Sequence, residues 1–508
     1  MNHHRNRTEK GSSLIEVMIG FSILAIAFVA TTALVFGGQT STLDTSLTEH
    51  GQYRNASYLE RSVASVRAAW GGSSSVYDGF YTKGHSFRAI SPCSAEVTAS
   101  TTWTTEKNRG QRIGVSTLVA SSGIAALLGG DCDPFPPLGN WEAPSVYPIT
   151  DPIFSGSLAS DIDGLDRPDG TFALVTAWFN PSPTADTLWM VDVSDLDNVV
   201  LASSYMTPDH LLAIDAIPDF AFVGGATSTS QKPFWIFDIS DEGAIAPVAN
   251  VALPNTNAAD FNGVLSVRYH GDRVYIGTNY MAFGAPTHDE LHIYGFDKTD
   301  PSNPLWEKSI NIDRNVNDIF VRDGFAYLAT GPGGDNTVMK IYDVDPLSAS
   351  YGSLVGEYAA PTAQAATTID VLGDHAYLGR ERPNGSGTTQ DLLIVLDVSD
   401  PASPVVTDAT NLNIAKGTAV TGIEVKGNIA FIVTSDQNGN NQTGNIGDGP
   451  FMMYDVSDPT NIILNPPCVA LNWSEKSTGM DMMNDLIFIS NESNDALRVI
   501  YPLPACTP

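Results

Sequence analysis

The sequence predicts a mainly β chain with one long α-helix at its N-terminus. An uncharged run near the N-terminus and a two-phrase repeat over the C-terminal two thirds predict it. From Val17 to Leu43 no residue is charged, and the next charge is Asp44. That run exceeds the roughly 20 residues with which a helix spans a bilayer. From about residue 151 an apolar strand, a polar turn and a second apolar strand recur. Examples are IDAIPDFAFVGG (214–225), VRYHGDRVYIGT (267–278) and IDVLGDHAYLGR (369–380). GTFALVTA (170–177) is a degenerate first copy, and seven copies imply seven blades of a β-propeller.

The elements follow in chain order. Residues 1–11 form a basic leader with Arg5, Arg7 and Lys10. Positive charge before the apolar run places the leader in the cytoplasm and exports the rest. Residues 12–70 read as one helix, membrane-spanning over 17–43, with Tyr58, Leu59, Val63, Val66 and Trp70 near helical spacing. The run is too long for a secretory h-region, and no small-residue cleavage site follows it. Gly71 and Gly72 stop the helix. Residues 71–150 read as a small head and connector with a threonine-rich stretch, Thr98 to Thr105, and a short helix, Ser116 to Leu128. Residues 151–508 read as the propeller.

The second phrase of the repeat includes LWMVDVSD, FWIFDISD, LLIVLDVSDP and FMMYDVSDP. Its aspartates are Asp192, Asp238, Asp297, Asp343, Asp397 and Asp455, spaced 46, 59, 46, 54 and 58 apart. An aspartate after an apolar strand accepts hydrogen bonds from the backbone of its own turn, so these six are structural turn residues. The last repeat lacks the aspartate phrase and ends in ALRVIYPL. Its missing outer strand must come from elsewhere, and APSVYPITDPI (143–153) is the candidate.

The N-terminal residues Gly11-Ser12-Ser13-Leu14-Ile15-Glu16-Val17 resemble the processing signature of type IV prepilins. LIEVMIGFSILAIAF is similar to minor pilins of the pilus-modification type. The resemblance implies cleavage after Gly11 by a prepilin peptidase and N-methylation of Ser12. It also implies assembly with other pilins through the helix, Glu16 pairing with a neighbour's amino terminus. A lone carboxylate in an apolar segment is costly and normally has a partner. Ser12 departs from the usual phenylalanine, and no proline interrupts the helix. The DVSDP phrases resemble the LVIVD repeat of bacterial surface proteins over most of residues 185–460.

A net charge of −31 excludes nucleic acid as a partner. Export makes disulfides plausible for Cys93, Cys132, Cys468 and Cys506, and four cysteines allow three pairings. Position in the repeat favours Cys468 with Cys506 and Cys93 with Cys132.

His288-Asp289-Glu290-Leu291-His292 imitates a zincin, but Asp289 stands where glutamate is needed and the stretch reads as a strand. Asp436, Asn438 and Asn440 imitate a calcium loop that lacks its glycine and its final glutamate. Asp161, Asp163 and Asp166 make a similar weak pattern, taken as a polar hairpin loop. No catalytic set, cofactor motif or metal site is expected. The sequence therefore predicts a minor, tip-located pilus subunit, held in the inner membrane before assembly and extracellular afterwards. Its propeller would bind a surface, glycan or protein. A major subunit, a secretion pseudopilin and a surface enzyme are the alternatives.

Overall fold

The computed structural model describes residues 74–78, 81–91, 94–104, 110–120, 141, 144–149 and most of 158–502. Within that last stretch it leaves out 168, 180–186, 227–231, 255–262, 280–287, 332–334, 383–390, 413, 415–417, 436–449, 466–470, 472, 474, 484 and 493–495. Gly11, Ser12, Glu16, the expected helix over 12–70 and all four cysteines lie outside the described residues. Among the described residues no helix is long and apolar enough to cross a membrane. The chain divides into two compact units, Met1–Ile124 and Ala125–Pro508.

The first unit holds one antiparallel sheet of four strands in sequence order: β1 (Ser74–Asp78), β2 (Tyr81–Ser91), β3 (Ser94–Thr104) and β4 (Gly110–Ala120). Thr98 to Thr104 of the threonine-rich stretch are part of β3, where β-branched residues fit a pleated surface. The helix expected from Ser116 is corrected over its first residues, because Ser116 to Ala120 finish β4. Val115, Leu118 and Val119 fall at helical spacing, and pairing with Ala99, Glu96 and Ala95 on β3 overrides it.

The second unit is a seven-bladed β-propeller of four-stranded antiparallel sheets. Blade 1 is β6 (Leu158–Arg167), β7 (Gly170–Phe179), β8 (Leu188–Asp192) and β9 (Val200–Tyr205). Blade 2 is β10 (Leu211–Ile217), β11 (Phe220–Gly225), β12 (Phe234–Asp238) and β13 (Ala246–Val251). Blade 3 is β14 (Val264–His270), β15 (Arg273–Thr278), β16 (Leu291–Gly295) and β17 (Leu305–Ile310). Blade 4 is β18 (Val316–Arg322), β19 (Phe325–Thr330), β20 (Thr337–Asp343) and β21 (Leu354–Ala359).

Blade 5 is β22 (Ala366–Leu372), β23 (His375–Arg380), β24 (Leu393–Asp397) and β25 (Val405–Thr410). Blade 6 is β26 (Val420–Lys426), β27 (Ile429–Thr434), β28 (Phe451–Asp455) and the short β29 (Ile463–Leu464). Blade 7 takes β30 (Ser477–Met483), β31 (Leu486–Asn491) and β32 (Leu497–Pro502) from the C-terminus. Its outer strand is β5 (Pro144–Ile149), in register Ile149↔Leu497 to Pro144↔Pro502. The ring is thus closed by a strand upstream of residue 151.

Second strands are buried on both faces, as in β11 and β15, because each lies mid-blade between two neighbouring sheets. The buried apolar residues form seven clusters, each joining a pair of adjacent blades. The first strands neighbour one another in a closed cycle from β6 round to β30 and back, so they surround the axis.

Candidate functional site at the axis and the two ends

The meander fixes two chemically different ends. The turns between strands 1 and 2 and between strands 3 and 4 fall at one end, tied by main-chain bonds such as Phe296 N to Asp272 O (2.8 Å) and Val398 N to Asp374 O (2.8 Å). The connections between strands 2 and 3 fall at the other end.

The six repeated aspartates all occupy the first end. Each accepts at Oδ1 from the main-chain N–H two residues on: Asp192 from Ser194 (2.9 Å), Asp238 from Ser240 (2.9 Å), Asp297 from Thr299 (2.8 Å). Asp343 accepts from Asp345 (3.0 Å), Asp397 from Ser399 (2.9 Å) and Asp455 from Ser457 (2.9 Å). A second aspartate repeats the device in the same turn, as in Asp241 to Gly243 (3.0 Å) and Asp400 to Ala402 (3.1 Å). Bonds from Thr299 hold Asp297 below the ordinary carboxylate range, and bonds from Ser399 and Ser457 do the same for Asp397 and Asp455. These carboxylates stay charged. Asp219, Asp272, Asp323, Asp374 and Asp485 sit in or beside the inner turns of the same end, so much of the chain's negative charge gathers there.

The axis carries a second set, of which sequence reasoning singled out only Asp163, and in another role. On successive first strands, Asp163, Asp215, Arg268, Phe320, Asp370, Glu424 and Asp481 occupy one equivalent position, next to the central Ile, Val or Met of each strand. The signal lay in the repeat phrases themselves (IDA, VRY, IDV, IEV, MDM). Several of these carboxylates accept a main-chain N–H from the next blade. Asp215 accepts from Tyr269, Asp370 from Val425 (2.6 Å) and Asp481 from Gly164 (2.7 Å). Two residues earlier on their strands, Asp161 accepts from Ile214 (2.9 Å) and Asp318 from Ile369 (2.8 Å). Asp161 and Asp163 therefore lie on the first strand β6, which corrects their reading as a hairpin loop.

A parallel belt of side-chain donors reaches carbonyls of the next blade: Ser160 to Leu211 (2.7 Å), Asn317 to Ala366 (2.6 Å) and Thr478 to Ala159 (3.1 Å).

Arg268 is the cation at this axis. Its guanidinium lies 5.5 Å from the Phe320 ring centre. Burial works against its charge, but Asp215, Glu424, Asp163 and Asp481, on four other blades, outweigh burial and raise its pKa. Burial pushes the Asp161 carboxyl up to about 8 and Asp481 up to about 6, and raises Asp163, Asp215 and Asp318. These walls are half-buried by surface area, yet protein surrounds them on every side, so desolvation dominates. Perturbed carboxylates mark active sites or structural networks alike. Here most are committed to neighbouring backbone, and the arrangement clasps blades together.

The zincin-like stretch is dispersed. Glu290 Oε2 accepts from Ile312 N (2.7 Å) and Asp313 N (3.1 Å), capping the connection into β18. His292 Nδ1 meets Ser309 Oγ on β17 at 2.9 Å. Burial raises Glu290 to about 7 and lowers His292 to about 4. Among the described residues no three His, Cys, Asp or Glu side chains converge as a metal ligand set. Asp436, Asn438 and Asn440 lie outside the described residues.

A search of curated proteins finds no match to the chain. The LVIVD repeat family matches residues 184–207 and 364–410, in blades 1 and 5. The propeller of this chain carries LVIVD repeats, and their aspartate turns all fall at one end of a closed ring of seven blades.

Proposed function

We propose that this chain is a minor, tip-located type IV pilus subunit whose propeller binds a surface, a glycan or another protein. It acts by recognition and not by catalysis. Gly11, Ser12 and Glu16 support the pilus part through their resemblance to the prepilin signature. In this reading a prepilin peptidase cuts after Gly11. The helix waits in the inner membrane, and Glu16 then pairs with a neighbouring pilin.

One observation carries the binding part. The long connections 281–288, 332–337, 382–390 and 436–449 all join second strands to third strands. They therefore leave the ring at the end opposite the one where the chain enters it, at Pro144. Loops on a rigid scaffold are the usual place for recognition.

The test compares pili sheared from cells making the full chain, Glu16→Leu, and a variant shortened in 383–390 and 436–449. The parent should be a scarce pilus component that supports adhesion. Glu16→Leu should reach the membrane folded yet be missing from pili. The loop variant should stay on pili with an unchanged Tm and lose adhesion. Normal incorporation of Glu16→Leu, or full adhesion by the loop variant, sinks the corresponding half of the reading. Abundance in sheared pili would indicate a major subunit instead, and retention in the periplasm a pseudopilin.

A further inference from the structure

Blade 7 is the one blade assembled from two distant segments, β5 before the ring begins and β30 to β32 where it closes. β5 runs antiparallel to β32, from Pro144↔Pro502 to Ile149↔Leu497. Ala496 O accepts from Asn491 N on β31 (2.9 Å), so alternation turns the main-chain groups of Leu497, Val499 and Tyr501 toward β5. Ser145, Tyr147 and Ile149 stand opposite them. Pro144 and Pro148 take the other parity, so the ladder loses no N–H to them. Just upstream, the buried Trp141 meets Phe431 of blade 6 at 4.7 Å between ring centres.

The strand also decides where the chain enters the ring. Leu158, the first residue of β6, pairs with Phe179 at the end that carries the long connections. Without β5 the chain would enter there. β5 crosses from Pro144 at the aspartate-turn end to Ile149 at the opposite end, and so moves the point of entry to the far side.

Hydrogen bonds of an antiparallel ladder stand across the strands. A force that draws Pro144 away from a point held at the end of the long connections runs lengthwise along β5 and β32. All bonds of the ladder must then yield together. A force that draws Pro144 away from Pro502 opens the same pair from one end, bond by bond. The ladder is strong in the first geometry and weak in the second.

We propose that β5 and β32 form a mechanical clamp, through which the propeller carries load in shear between its point of entry and its recognition end. The function of the clamp rests on the reading above, in which the chain is tethered upstream of Pro144 and binds through the long connections.

Force spectroscopy on the purified full chain tests the clamp. One handle is inserted after Leu138. The second is inserted after Glu492, at the end of the long connections, or after Leu503, just beyond β32. Release of β5 frees the chain between Leu138 and Leu158 and is identified by that gain in length. Forced opening follows the unfolding rate under load. With the handle at Leu503, β5 should peel away at low force. With the handle at Glu492, β5 should leave, or another blade give way, only at a several-fold higher force. Equal forces in the two geometries, or a lower force with the handle at Glu492, overturn the proposal. The measurement involves neither pilus nor ligand, so its failure is distinct from failure of the adhesion test.

Discussion

At Gly379 a single hydrogen atom decides how closely two blades meet. A Cβ there would lie 2.6 Å from Val420 Cγ1 and 2.7 Å from Thr368 Cγ2, closer than carbon atoms pack. Gly224 meets Val264 in the same way at 2.3 Å. Between blades 4 and 5 the equivalent residues are Ala329 and Ala366, which share one cluster. At these three seams the facing residues are glycine with valine twice and alanine with alanine. We expect Gly379→Ala to cost about 1–3 kcal/mol by overpacking. Adding Val420→Ala should recover part of that loss in a double-mutant cycle followed by urea unfolding. Purely additive losses would contradict the pairing. The turn aspartates are the other residue-scale feature, and they were legible from the repeat alone. An aspartate that bonds its own turn needs nothing distant.

Among elements, the outer strands show how a propeller with seven edges avoids joining others. Five of them carry a bulge at the same place, between Met190 and Val191 on the facing strand in blade 1 and between Val395 and Leu396 in blade 5, for example. Blade 6 has only two residues in its outer strand. Blade 7 uses β5, whose Pro144 and Pro148 share one parity of the strand, so the N–H groups they lack can fall on the side away from β32. Bulges, short strands and prolines all blunt an edge.

The closing strand leads in from Trp141, which is 3 % exposed and meets Phe431 edge-on at 4.7 Å. A chain shortened to begin at residue 151 should leave β32 unpaired, melt at lower temperature and aggregate. A chain beginning at residue 138 should remain soluble and monomeric. Trp141→Ala in the full chain should cost about 3–5 kcal/mol. Equal Tm values and equal solubility of the two shortened chains would contradict this role for β5. The candidate closing segment was legible because the last repeat visibly lacked a strand. The strand β4 was not, because its apolar positions fall at helical spacing, which only pairing with β3 overrides.

At the scale of the whole molecule, the ring sorts charge by environment, and stability should follow pH accordingly. Burial holds Asp161 at about 8 and Asp481 at about 6, against an ordinary 3.8. Between about pH 4 and 8 the native state therefore holds more protons than the unfolded chain, and stability falls as pH rises through that window. Exposed carboxylates oppose this at the acid end. Asp335 is held at about 2 by bonds from Thr337 and Arg314, a contribution lost as pH falls from about 4 to 2. We expect calorimetry at constant ionic strength to show a maximum near pH 5 and a Tm lower by at least about 2 °C at pH 8.5. Asp161→Asn, whose amide oxygen still accepts from Ile214, should flatten that slope. A Tm that rises from pH 5 to 8.5 would refute the assignment of protonated carboxylates to the axis.

The sequence by itself determined the repeat, the blade number, the turn aspartates and the segment that completes the ring. All of these depend on periodicity or on bonds made within one turn. It also displayed the axial residues, such as Asp215 and Asp370 beside Ile214 and Ile369, without revealing their use. Their acceptors are filled by backbone N–H groups of Tyr269 and Val425, more than fifty residues away. Only the packing of each blade against the next brings those together. Closure of the ring then sets Arg268 among carboxylates of four other blades and draws the scattered aspartates onto one end. Charge and burial at those positions are properties of a closed ring, which no single repeat contains.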